Sequence, residues 1–304
     1  MDFTKAHGTG NDFVVLADLD DELDLSADVV RALCDRRFGV GGDGILRLGR
    51  PSGDAHVFMD YRNADGTIVE MCGNGVRVVA KHAVDHGLVT PDGDTVIVGT
   101  RAGDKPVTVH RGADGRVESV TVDMGPPILD PAEVPFLAEE PGAVSEPFTI
   151  GDTTLEVSAV SMGNPHAVTV VDDVTAAPVR TLGPEVEADG RFPARTNVEF
   201  AEVVSEREIR LRVWERGVGE TAACGTGACA TVVALQRRGL VGTDVVDVHL
   251  PGGVLTVRYD PDTHPSVHMT GPAVEVGSGT LDDAWLAAAR AGRIPPTADR
   301  EASR

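Results

Sequence analysis

Two stretches of this chain place a thiol directly before a glycine-rich turn. They are Met71-Cys72-Gly73-Asn74-Gly75-Val76-Arg77 and Ala223-Cys224-Gly225-Thr226-Gly227-Ala228. Cys72 and Cys224 are 152 residues apart, and at that spacing Gly87-Leu88-Val89 falls without a gap on Gly239-Leu240-Val241 and Asn63 falls on Glu215. Gly10-Asn11 matches Gly163-Asn164 one residue out of step. One unit duplicated explains these matches, with an equivalent cysteine in each half. A thiol at the first turn of a helix meets the positive end of the helix dipole and free backbone N–H groups, and both favour thiolate. The same N–H groups suit a carboxylate, and the glycines let a ligand approach the backbone closely.

Two matched thiols suit inversion at a carbon bearing an acidic hydrogen. One thiolate removes the proton from one face, and the other thiol delivers a proton to the opposite face. Other cysteine chemistries fit less well. No C-x-x-C occurs, and Cys224 and Cys229 have no Cys/His pair at zinc-finger spacing, so no metal is expected. A cysteine hydrolase needs one thiol and one His and leaves the second thiol unexplained. Pyridoxal phosphate needs a Schiff-base lysine; of the three lysines, Lys81 falls in a buried helix and Lys5 and Lys105 lack a recognisable pocket. No cofactor is expected. Cys34 and Cys229 fall on apolar helix faces and read as core residues.

The elements that must carry these thiols follow from periodicity. Phe3 to His7 and Phe13 to Leu16 read as strands about the turn Gly8–Asp12. Ser26 is placed to cap a helix bearing Val29, Val30, Leu33 and Cys34 on one face. Gly39-Val40-Gly41-Gly42-Asp43-Gly44 fits G-x-G-x-x-G, yet a charged helix precedes it where a dinucleotide site needs a strand, so it reads as a helix-to-strand turn. Strands follow at Val57–Tyr61, Thr95–Val98, Pro106–His110 and Val117–Asp123, with Asn63-Ala64-Asp65-Gly66 a turn and Gly75–His86 a helix. Residues 126–147, rich in Pro, Ala and Glu, read as the crossing between halves. The second half offers strands at Thr154–Val160, Ala167–Val171, Glu208–Val213, Val245–Leu250, Val254–Tyr259 and Val267–Met269. Gly227–Arg238 is apolar on nearly every side up to Gln236, the pattern of a helix buried all round. Asp282–Ala289 suits a short helix, and Ile294–Arg304 reads as a disordered polar tail.

Bulk properties set limits. The 304 residues carry a formal net charge of −21 and a pI near 4.7, which argues against nucleic acid or an anionic membrane surface as partner. Aromatic content of 4 % within 41 % apolar residues calls for aliphatic cores. There is no signal-peptide pattern and no apolar run of 18 residues. Four scattered cysteines suggest thiols in a reducing cytoplasm.

The sequence resembles the diaminopimelate epimerases. The resemblance is carried by Gly8-Thr9-Gly10-Asn11-Asp12-Phe13, Asn63-Ala64-Asp65-Gly66, Cys72-Gly73-Asn74-Gly75, Gly163-Asn164-Pro165-His166, Thr196-Asn197-Val198-Glu199-Phe200, Trp214-Glu215-Arg216-Gly217 and Ala223-Cys224-Gly225-Thr226-Gly227, in order over roughly residues 1 to 280. It implies an α/β (α+β) fold of two pseudo-symmetric domains, each a curved, mostly antiparallel sheet around a central buried helix, with the site in the cleft between them. The expected domains are 1–125, with 271–304 returning to it, and 126–270. The implied activity is the interconversion of LL- and meso-diaminopimelate, without cofactor or metal, on the route to lysine and peptidoglycan. By position, Cys72 and Cys224 would be the acid/base pair, with His166 and Glu215 setting their protonation. Gly73, Asn74, Gly225 and Thr226 would hold the reacting carboxylate, and Asn11, Asn164 and Glu215 would lie near the reacting amino group. Asn63, Asn197 and a buried Arg216 would grip the distal end of the substrate, Arg216 as a fork onto a carboxylate. Gly44 stands where some members carry a Gln that contacts substrate. The expected partners are the small-molecule substrate and a second copy in a homodimer, with neither nucleic acid nor membrane. A proline-type racemase of related fold and a non-catalytic amino-acid-binding protein are the alternatives from other classes; only the first needs both thiols.

Overall fold

The computed structural model describes residues 1–140, 142–242 and 244–294. The chain divides into two compact units: Met1–Val122 with the described part of Gly271–Arg304, and Asp123–Thr270. The polar tail expected from Ile294 lies outside the described residues from 295 onward.

In the first unit, β1 (Asp2–Gly8) and β2 (Asn11–Ala17) form a hairpin. Its two turn residues, Thr9 and Gly10, have φ of 55° and 81°. Positive φ at both positions is what a two-residue turn needs to match strand twist. Helix α1 (Ala27–Cys34) is capped by Ser26, whose side chain accepts from Val29 N–H. The G-x-G-x-x-G segment then turns the chain from α1 into β3 (Gly44–Gly49), parallel to β2. β4 (Val57–Asn63) pairs antiparallel with β3 and with the short β5 (Ile68–Val69). Helix α2 (Gly73–Asp85) follows, then β6 (Thr95–Thr100), β7 (Gly103–Arg111) and β8 (Val117–Asp123) as a meander, with β6 parallel to β4.

The second unit repeats this plan. Residues 126–140 contain no strand: the bridge Ile128 to Ser161 is followed by turns over 131–135, where Val134 N–H bonds Asp130 O and Phe136 N–H bonds Pro131 O, before β9 (Glu146–Ile150), β10 (Thr153–Ser161) and β11 (Pro165–Val170). Helix α3 (Val179–Ala188) precedes β12 (Asn197–Ser205), which is parallel to β11 as β3 is to β2. β13 (Glu208–Glu215) and β14 (Gly219–Thr221) lead to α4 (Gly225–Arg237), and β15 (Val245–Leu250), β16 (Gly253–Asp260) and β17 (His264–Pro272) close the meander. β15 is parallel to β13, as β6 is to β4. The chain then returns to the first unit: β18 (Val274–Thr280) pairs with β1, as β9 pairs with β10, and α5 (Asp283–Arg290) packs near α1.

The two central helices show the duplication most directly. α2 and α4 are each 13 residues long and start 152 residues apart. Each packs against strands of its own unit, α2 on β1, β3, β4, β6 and β7, and α4 on β10, β11, β12 and β16. In α4 every residue from Gly227 to Leu235 is buried. Val232, Val233 and Leu235 have no exposed surface; burial of each contributes about 1.5–3 kcal/mol. α2 is buried just as fully from Gly73 to Val84 but includes Arg77, Lys81 and His82. Arg77 donates to Thr9 Oγ1 (2.8 Å) and Asn74 Oδ1 (3.0 Å) inside the unit.

Among the described residues, seven elements escaped the periodicity reading: β3, β5, β9, β12, β14, β18 and α3. β3 and β12 are buried on both faces, so they show no alternation. α3 contains Gly183 and Pro184 and begins after Pro178, three residues that read as loop. Gly183 is needed there because a Cβ would come within 2.7 Å of the Trp214 side chain.

Candidate active site

Both matched cysteines are helix N-caps. Cys72 and Cys224 have extended backbones, and their sulfurs accept from the N–H groups of Gly75 (3.5 Å) and Gly227 (3.4 Å). Cysteine thus takes the place that Ser or Asp usually holds at a helix start, facing N–H groups that have no intrahelical acceptor. No disulfide joins the four cysteines among the described residues. Cys34 and Cys229 are 3 % and 0 % exposed and belong to the cores.

Around Cys72 the partners are amides. The thiol lies 3.8 Å from Asn11 Oδ1 at the start of β2, and Asn74 Nδ2 donates to the same oxygen at 3.2 Å. Asn11 Nδ2 donates to Asp43 Oδ2 (2.9 Å). Asn63, at the end of β4, accepts from Tyr61 O–H (2.9 Å) and donates to Thr67 Oγ1 (3.1 Å). An amide offers two donors and two lone pairs, so Asn11 and Asn63 retain capacity for a ligand. Gly44, facing Asn63 across β3 and β4, has no room for a side chain: a Cβ would lie 2.5 Å from Arg62 O and 2.7 Å from the Tyr61 ring. A glutamine could not stand there without moving the backbone of β4.

Around Cys224 the partners are ionisable. β11 supplies His166, β12 Glu199 and Asn197, and the end of β13 Glu215 and Arg216. His166 and Glu199 are both fully buried and joined Nδ1 to Oε1 at 2.7 Å. The other His166 nitrogen faces Asn164 Oδ1 at 3.1 Å, while Asn164 Nδ2 donates to Thr226 Oγ1 at 3.4 Å. Thr226 Oγ1 also lies 3.4 Å from the Cys224 sulfur. Thr221 O–H donates to Glu215 Oε1 at 2.5 Å.

At Cys224 these neighbours act against the helix terminus, which by itself favours thiolate. Burial pushes the Cys224 thiol well above its ordinary range, and the Glu215 and Glu199 carboxylates push it further. Thr226 and the Gly227 N–H pull the other way and do not prevail. Glu215 and Glu199 are themselves raised, chiefly by burial. The helix-terminus contribution is real but is outweighed when a thiol is 5 % exposed beside two acids.

Of the residues expected to grip the distal end, Arg216 differs from expectation in its burial. Arg216 is exposed, because β13 ends at Glu215 and the chain turns outward at Gly217 (φ 74°). Its Nη1 donates to Ala194 O at 2.9 Å. Asn197 is buried and engaged by the protein: its Nδ2 donates to Pro165 O (2.9 Å) and its Oδ1 accepts from Arg216 N–H (3.0 Å). Asn197 is thus tied to the Arg216 backbone and, like Asn63, makes one donated and one accepted bond, leaving amide capacity for a ligand. Sequence reasoning quoted Glu199 within a motif but gave it no role. The available signal was one charge inside Asn197-Val198-Glu199-Phe200-Ala201, a run buried at every position.

Comparison with known proteins accords with this arrangement. The sequence model of the diaminopimelate epimerase family matches residues 3–129 and 158–276. The diaminopimelate epimerase of Thioalkalivibrio sulfidiphilus is 50 % identical over 284 residues, covering 93 % of this chain and 99 % of that protein. The diaminopimelate epimerase of Agathobacter rectalis is 46 % identical over 289 residues, covering 93 % and 99 %. Among solved structures, a probable proline racemase from Agrobacterium radiobacter aligns with a TM-score of 0.67 at 16 % identity, covering 98 % of this chain and 99 % of that one. A hydroxyproline epimerase from Agrobacterium vitis aligns with a TM-score of 0.65 at 18 % identity, covering 95 % and 98 %. At such identities these structures speak to the fold alone. No described helix is long and apolar enough to cross a membrane.

Proposed function

Since this chain belongs to the diaminopimelate epimerase family, we propose that it interconverts LL- and meso-diaminopimelate by proton transfer between the substrate α-carbon and two thiols, Cys72 and Cys224, in the cytoplasmic supply of lysine and peptidoglycan precursor. The observation that carries the reading is the pair of N-cap cysteines at matched positions of a duplicated unit. In one direction the Cys72 thiolate takes the α-proton and becomes a thiol. The carbanion's charge spreads onto the adjoining carboxylate, stabilised by first-turn N–H groups at Gly73, Asn74, Gly225 and Thr226. The Cys224 thiol then gives its proton to the opposite face and becomes a thiolate, and the reverse reaction exchanges the roles. The raised Cys224 thiol suits it to start as the acid. Within this reading Asn11, Asn164 and Glu215 meet the reacting amino group, and Asn63, Asn197 and Arg216 meet the distal amino acid end, Asn197 also holding the Arg216 backbone.

The test is deuterium uptake at the α-carbon from D₂O with LL-diaminopimelate, together with Cys72→Ala and Cys224→Ala. Wild type should incorporate deuterium and form the meso isomer, and each variant should lose epimerisation while keeping its fold. Sustained turnover by either alanine variant would end the two-thiol reading. Comparable rates on proline would favour the racemase alternative over diaminopimelate.

A further inference from the structure

At the far end of α2 from Cys72 lies a cluster that this chemistry does not use. His82, in the last turn of α2, and His86, its C-cap, are four residues apart and share one helix face. Their rings stand 4.2 Å apart between centroids. Across from them on β18 is Glu275. His82 Nδ1 lies 2.7 Å from Glu275 Oε1, and His86 Nε2 lies 3.1 Å from both carboxylate oxygens. His82 is buried, Glu275 half-buried and His86 exposed, beside an open groove lined by Phe3, Thr4, Val15 and Thr280.

We propose that His82, His86 and Glu275 bind a divalent transition-metal ion of the zinc class, clipping the end of α2 to β18. Two imidazoles and a carboxylate are a donor set suited to such ions. Metal–ligand distances of about 2.0–2.2 Å set neighbouring donor atoms roughly 3–3.5 Å apart. Here the three donor atoms already lie within 4.8 Å of one another, two of the spacings being 2.7 and 3.1 Å. Small side-chain turns would therefore seat the ion, and the groove leaves room for water at the remaining position. The site also lies at a helix C-terminus, the negative end of the dipole, where a cation is favoured, in a chain of net charge −21. Arg116 competes, since its Nη2 lies 3.2 Å from Glu275 Oε2, but its Nε is also held by Asp85 at 3.3 Å and it can keep that partner. Along α2 the site is roughly 20 Å from Cys72 at 1.5 Å per residue, so the ion would hold structure and would not touch the reacting carbon.

The test is calorimetric titration with Zn²⁺ of the full chain carrying Cys72→Ala and Cys224→Ala, which removes the thiols that could compete. One ion should bind per chain and raise the melting temperature. His86→Ala and Glu275→Gln, each in that background, should weaken binding at least about tenfold, as loss of a metal-site partner does, and abolish the thermal shift. His86 is exposed, so its removal leaves the fold intact, as circular dichroism would verify. Co²⁺ bound to the wild-type chain should give visible bands that are lost in His86→Ala. No saturable binding, or unchanged affinity in both variants, would overturn the proposal and leave a hydrogen-bonded tie between helix and strand.

Discussion

Replacing His166 by Ala strips Glu199 of its partner. Glu199 has no exposed surface, its Oε1 is 2.7 Å from His166 Nδ1, and its Oε2 has no hydrogen-bond partner among the described residues. Breaking a buried pair from one side costs about 3–5 kcal/mol, because the remaining charge is left uncompensated. Protonation of the orphaned carboxyl limits the loss, and this gives the experiment its signature. Burial already raises Glu199, opposed by His166, so the variant should raise it further. A carboxyl raised in the folded state binds a proton that the unfolded chain releases above about pH 4.3. Its stabilising contribution is therefore complete below that pH and is lost as pH rises towards the folded value. The stability gap between His166→Ala and wild type should accordingly be small near pH 5 and widen towards pH 8. Adding Glu199→Gln should recover about 2 kcal/mol or more at pH 8, since no charge is then left buried. Urea unfolding read from Trp214, in the same unit, measures all three proteins. A gap that does not change with pH, or a double variant no better than the single, would show that Glu199 carries no buried charge and would refute the reasoning.

Further outcomes follow from the same contacts. Gly227→Ala should destabilise by about 1–3 kcal/mol, because its Cβ would meet the pinned Glu199 Oε1 at 2.8 Å, whereas Gly75→Ala meets only Leu46 Cδ2 at 3.0 Å and should be near neutral once the helix propensity of Ala is included; paired melting curves decide, and equal shifts would contradict the difference. Glu215→Gln removes a carboxylate that helps raise Cys224, so the alkaline limb of the pH–rate profile should move to lower pH, and a limb that stays or rises would speak against that role. Asp60 is buried against Arg62 (3.0 Å) and Arg101 (2.8 Å), which pull its carboxyl down against burial. Its contribution is thus present above the unfolded value and lost as pH falls below it, and Asp60→Asn should cost stability at pH 7 and progressively less in acid.

The fold was legible where a residue's local job and its burial gave the same signal. Ser26, the alternation in Glu208–Val213, and the all-apolar run after Gly227 each announced their elements, and the matched cysteines announced the duplication. β3, β12 and α3 were hidden because their residues answer to both faces of a sheet or to a neighbouring tryptophan. At the candidate site, residue types pointed to side chains that the structure groups around each cysteine, but not to the partners each one has within the protein. Asn63 and Asn197 read alike in sequence, and only the structure shows that one is tied to the Tyr61 and Thr67 side chains and the other to Pro165 O and Arg216 N–H. Whether a thiol is raised or lowered depends on its burial and on carboxylates from neighbouring strands, here Glu215 and Glu199, and no local spacing reports that. Cysteine spacing says nothing of His82 and His86, which meet Glu275, 193 residues from His82, only in the folded chain.

The duplication makes its departures from symmetry informative. In the parallel ladders Phe13 faces Gly44 in one unit and His166 faces Asn197 in the other. Two residues further along the second strand are Leu46 and Glu199, and these are the side chains that meet Gly75 and Gly227 in the first turns of α2 and α4. The same structural position is therefore apolar behind Cys72, with Phe13 and Leu46, and ionisable behind Cys224, with His166 and Glu199. An apolar backing adds no charge to a thiol; a buried carboxylate opposes ionisation and holds a proton nearby. A two-thiol reaction needs one group protonated and the other not, and two identical sites would spend much of their time with both protonated or both bare. Placing the acidic pair behind only one thiol biases which of them keeps the proton. On the proposed two-thiol reading, the asymmetry would supply the mixed state that the duplicated backbone, by itself, would not favour.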